Sequence, residues 1–93
     1  INKKKLNLLR IKLDKLDTEL LKLIKKRSNL VNDVLKVKIH KKEIIDQKRI
    51  SFILKKIKKK SIQLKVDPKI TNRIWKNMIW SFIDYEKRNF KKK

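Results

Sequence analysis

Arg27 and Lys38 stand eleven positions apart, a spacing that on an α-helix returns them to within about 20° of one face, roughly 16 Å apart along the axis. Val31 and Val34 lie on that face between them. Two long cationic side chains over an apolar floor suit a small anion, and an arginine can grip a carboxylate through two parallel hydrogen bonds. The bland alternative is that both cations snorkel to solvent. It fits Lys38 more easily than Arg27, which fills a position where an apolar residue is due, because an unpaired buried charge is costly.

Two further residues bear on the same chemistry. Arg10 precedes Arg27 by seventeen positions, which is about 25 Å and roughly 100° round the helix. One chain cannot bring both arginines to one ligand, whereas an antiparallel copy of the helix can; taken alone, Arg10 reads as a surface arginine. Glu86 is a carboxyl on an apolar helical face. Burial favours its neutral form and a neighbouring lysine its charged form, so both states stay open, as does a plain edge-of-core role.

The helix that must position these groups is written in Leu6, Leu9, Leu13, Leu16, Leu20, Leu23, Leu30, Val34 and Val37, spaced by threes and fours, with Arg27 as the one interruption. It is expected from about residue 5 to 40, roughly 50 Å at ~1.5 Å per residue. A compact monomer of this size has a radius of gyration of only about 12 Å, so the remaining residues cannot cover such a seam, and an intertwined homodimer is expected. Asp46 can cap a second helix, about 46–64, with the stripe Ile50, Ile53, Leu54, Ile57, Ser61 and Leu64. Asp67-Pro68 pairs a good cap with a residue suited to the first helical position. A third helix, about 67–90, follows with Ile70, Ile74, Trp75, Met78, Ile79, Phe82, Ile83 and Glu86 on one stripe.

The expectation is thus one all-α domain, residues 1–93, of three helices. The chain has no Gly, no Ala and no Cys, and one Pro, which leaves tight turns with positive φ without a natural occupant and removes disulfides. No apolar run approaches the roughly 18 residues of a membrane span, and no signal-type core follows the first residues. A soluble, cytoplasmic protein is expected. Net charge is +21, with 25 Lys among 30 cations and 14 Ile. Such a balance can mean nucleic acid or an anionic membrane, but an AT-rich codon bias explains most of it, lysines fall on all three helices, and no recognition motif is present. A basic helical nucleic-acid-binding dimer is the competing class; it predicts cations on one face and steep salt dependence.

Other landmarks carry less. His40 is alone, with Glu43 at helical spacing where the period breaks, so no metal site is assigned. Asp14 is expected to pair with Arg10 one turn earlier, and Asp17 to stay solvated or meet a lysine of a partner chain. Trp75 reads as core and Trp80 as an interface or pocket rim.

The pattern Leu9-Arg10-x-x-Leu13-Asp14-x-x-Asp17-x-x-Leu20-x-x-Leu23-x-x-x-Arg27, then Val34-x-x-x-Lys38, Asp46-x-x-Arg49 and a helix after Leu64-x-x-Asp67-Pro68, resembles the AroQ-type, all-helical chorismate mutases. The resemblance covers residues 6 to 90 and is most specific in the first helix. It implies an intertwined dimer that rearranges chorismate to prephenate, in aromatic amino acid biosynthesis, without metal or cofactor. By the same resemblance, Arg27 of one chain and Arg10 of the other hold the substrate's two carboxylates, and Lys38 donates to the ether oxygen. Asp46 and Arg49 match positions that line and order the pocket, Asp46 reading first as a helix cap, while Val34, Ile50 and Phe82 complete the substrate-binding set.

Two positions depart from the family pattern. Where the mutases usually carry a Glu directly after the second-helix arginine, to hold the ring hydroxyl, this chain has Ile50. Where they usually carry a Gln that donates to the ether oxygen, it has Glu86. Ile50, with the short connection from Lys38 to Arg49, is closer to the related isochorismate pyruvate lyases, which release pyruvate and leave salicylate. Glu86 must keep its proton to donate, so turnover is expected to fall as the pH rises.

Overall fold

The computed structural model describes residues 2–92. Three α-helices follow one another, α1 (Lys3–Val37), α2 (Gln47–Gln63) and α3 (Pro68–Asn89), with a 3-10 turn at Lys41–Glu43 between the first two. Among the described residues there is no strand and no helix long and apolar enough to cross a membrane. The chain forms two compact units, one comprising the described residues up to Val31 and the other those from Asn32 on.

The first unit is helix alone. Leucine and lysine dominate it, both good helix formers, and nothing in it breaks the backbone ladder. Asn2 caps its start, its side chain accepting from the Lys5 amide at 3.0 Å. The expected apolar seam is present and largely open: Leu9, Leu13, Leu16, Leu20, Leu23 and Leu30 are all exposed, Leu16 to 64%. Arg10 and Asp14 are exposed too, and the ion pair expected between them is not formed; at a solvated helix surface such a pair gains little over water.

The second unit holds the core. Leu35, Ile44, Ile50, Ile79 and Ile83 are buried together, with Ile53, Leu54 and Phe90 packed against them. α2 and α3 form a helical hairpin. Near its turn the buried Ser61 hydroxyl donates to the Ile57 carbonyl at 2.6 Å and shares a 2.7 Å hydrogen bond with the Thr71 hydroxyl. Both hairpin helices begin as their caps dictate. Asp46 accepts from the Arg49 amide at 3.0 Å, and Asp67 accepts from the Lys69 amide at 2.9 Å with Pro68 in the first turn.

Two local features depart from expectation. α1 stops at Val37 rather than near His40, because its last turn tightens (Lys38 amide to Leu35 carbonyl, 3.2 Å) and the Glu43 carboxylate captures the next two amides. A positive φ does occur, and Lys65 takes it at 58°. The Val66 amide bonds the Ser61 carbonyl at 2.9 Å and the Lys65 amide that of Ile62 at 3.1 Å, the Schellman closure that requires a left-handed residue just beyond the helix. With no glycine in the chain, a lysine carries the strain.

Candidate active site

Lys38 is the first residue past α1, and Glu86 lies on the buried stripe of α3 with Ile79 and Ile83. The Lys38 ammonium donates to Glu86 Oε1 at 2.9 Å, with the two side chains 17% and 8% exposed. The misplaced carboxyl on an apolar face thus has a cation to meet it, which is the condition for burying either charge. Tyr85, the residue before Glu86, donates to Asn32 Oδ1 at 3.0 Å, a second tie between α3 and the end of α1.

Beside this pair an open cleft of about 580 Å³ is lined by Val34, Val37, Lys38, Glu43, Ile45, Asp46, Gln47 and Lys48. Its floor is aliphatic, and its rim carries two lysines, two acids and an amide. Val34 stands one turn before Lys38. The Asp46 side chain is both a lining group and the cap of α2, so the helix start holds its carboxylate in place.

Arg49 follows on α2, exposed, with its guanidinium 5.3 Å from the centre of the Phe52 ring. Ile50 is only 9% exposed and belongs to the apolar core cluster. Phe82 is half-buried on α3, one turn before Glu86. Arg10 and Arg27 belong to the first unit, Arg10 exposed and Arg27 half-buried. Of the residues singled out in the sequence, the second unit therefore brings together Lys38 and Glu86 by direct contact, and Val34, Lys38 and Asp46 on one cleft.

Glu43 was assigned no role from the sequence, yet it lines the cleft and organises its edge. Its Oε2 accepts from the Ile39 amide at 2.7 Å and the His40 amide at 3.0 Å. These hydrogen bonds, the one from His40 foremost, hold its carboxyl below the usual carboxylate range. The signal for it was present: an acid three residues after His40 has the spacing at which a side chain reaches back to cap a turn.

Chemically, the cleft offers an anchored ammonium with a shielded carboxylate behind it, over an aliphatic floor. With Glu43 and Asp46 on the rim beside Lys38 and Lys48, it suits a partly apolar small molecule that carries polar groups. Searches of curated proteins and of solved structures returned no match to this chain. A family model does match, over residues 9–87, from the arginine-bearing start of α1 to the residue after Glu86. It describes chorismate mutase type II, and the chain belongs to that family.

Proposed function

We propose that this protein is a cytoplasmic, homodimeric chorismate mutase that converts chorismate to prephenate in a cationic pocket shared between two chains. The reaction is an intramolecular rearrangement. The ether C–O bond breaks as a new C–C bond forms, and no nucleophile, net proton transfer or redox partner is required. The protein has only to hold the reactive conformer and stabilise the charge that grows on the ether oxygen. In this reading Lys38 donates to that oxygen, and Arg27 with Arg10 of the second copy binds the two carboxylates. Glu86 holds the Lys38 ammonium in place through their ion pair, where a second donor to the ether oxygen was expected from the sequence. Asp46, Arg49, Val34 and Phe82 shape the pocket.

The observation that carries the reading is the shielded 2.9 Å Lys38–Glu86 pair at the edge of the cleft, within the span matched by the family. The dimer is supported by the exposed leucine seam of the first unit, an apolar stripe of the kind that a second helix covers.

A second reading, isochorismate pyruvate lyase, is favoured by Ile50. It is apolar and packed in the core, so no carboxylate at this position meets a ring hydroxyl. Incubating the purified protein with chorismate and, separately, with isochorismate decides between them. Prephenate from the first supports the mutase, salicylate plus pyruvate from the second supports the lyase, and neither product rejects both.

A further inference from the structure

We propose that Glu43 is a positioning residue for Lys38, its carboxylate holding the backbone just beyond Lys38 and so setting where the ammonium sits. The inference rests on the reading of Lys38 as the group that meets the substrate.

Lys38 lies past the end of α1, where its own amide keeps only a 3.2 Å bond to the Leu35 carbonyl. The next two amides, of Ile39 and His40, have left the helical ladder, and both donate to the same oxygen, Glu43 Oε2, at 2.7 and 3.0 Å. The hold is reciprocal: the Glu43 amide donates back to the His40 carbonyl at 3.0 Å. This closed loop is anchored in turn by Ile44, only 3% exposed, whose amide bonds the Lys41 carbonyl at 3.1 Å. Force therefore passes from the buried Ile44, through the Glu43 carboxylate, to the peptide that follows Lys38. There is no comparable tether from Ile39 itself, which is exposed. Glu86 holds the ammonium at the tip of the side chain, and Glu43 holds the backbone that carries it. With that backbone loose the ammonium could shift over the cleft, whereas charge stabilisation requires the donor to be in place before the reaction.

The test is steady-state kinetics of wild type, Glu43→Ala, Glu43→Gln, Lys38→Ala and the Glu43→Ala/Lys38→Ala double variant, on whichever of the two substrates is turned over. Glu43→Ala is expected to lower kcat about tenfold or more with a smaller change in KM. Glu43→Gln should recover most of that loss, because its carboxamide oxygen can accept from both amides. The double variant should be no slower than Lys38→Ala alone, since a residue acting through Lys38 has nothing left to position. Additive losses in the double variant overturn the proposal. Full activity of Lys38→Ala instead overturns the parent reading of Lys38, a separate outcome. A readout independent of turnover is the ¹⁵N shift of the Lys38 ammonium: it should move in Glu43→Ala and stay near wild type in Glu43→Gln. An unmoved signal in Glu43→Ala rejects the positioning role even in a protein without activity.

Discussion

The Lys38 ammonium and the Glu86 carboxylate meet at 2.9 Å across 48 residues of sequence, and both are largely shielded from water. Each makes the other's position possible. A lone carboxylate on the Ile79–Ile83 face of α3 would be strongly disfavoured there, and the pairing leaves a cation fixed at the edge of a cleft.

Removing one partner should therefore destabilise the protein more than neutralising the other gently. Lys38→Met is expected to cost about 3 kcal/mol, the lower end for breaking a shielded ion pair. Glu86→Gln, which keeps an oxygen to accept from Lys38, should cost about 1 kcal/mol. Urea denaturation at fixed protein concentration measures both, and equal, negligible effects would mean that solvent already screens the pair.

Glu43 gives the stability a dependence on acid. Its carboxyl lies below the usual range because the His40 and Ile39 amides favour the charged form. A lowered folded-state pKa contributes stability that is fully present above the unfolded value and lost as the pH falls through the folded one. The hydrogen-exchange protection factors of the Ile39 and His40 amides should thus fall as the pH drops below the ordinary carboxylate range. Glu43→Gln should remove that acid dependence.

Asp46 has two candidate roles that one pair of variants separates. Asp46→Ala deletes the cap of α2 and is expected to cost about 1 kcal/mol, whereas Asp46→Asn retains a capping oxygen and should leave stability nearly unchanged. If Asp46→Asn still lowers turnover, its carboxylate acts on the ligand and not only on the helix.

Lys65 adopts φ 58° at the end of α2, and a side chain there costs roughly 1–2 kcal/mol. Lys65→Gly should stabilise the fold by about 1 kcal/mol, part of the relief being offset by the greater freedom of glycine in the unfolded chain. Thermal unfolding checks this, and turnover should not change.

A pocket shared between two chains predicts complementation. Arg10→Ala and Arg27→Ala homodimers each lack an intact site, but a mixed dimer regains one of its two. Equal mixing with free subunit exchange should restore about a quarter of wild-type turnover, since half the dimers are mixed. No recovery despite demonstrated exchange would mean that the cross-chain assignment of Arg10 is wrong.

Features that depend on neighbours along the chain were legible in the residues alone. Three- and four-residue spacing laid out the leucine seam of α1, and Asp46, Asp67 and Pro68 announced the starts of α2 and α3 through contacts no more than three residues away. The resemblance of the Arg10, Arg27 and Lys38 spacing anticipated the family shown by the match over residues 9–87. The end of α1 was misjudged by three residues because Glu43 reaches back across a turn that periodicity does not encode. Which carboxyl Lys38 meets depended on the packing of α3 beside the end of α1. Packing between segments also placed Ile50 in the core while Ile70 and Ile74, on an equally regular stripe, remain exposed. The reason is physical: helical period fixes the direction in which a side chain points, but burial and ion pairing depend on what another segment, dozens of residues away, brings to that face.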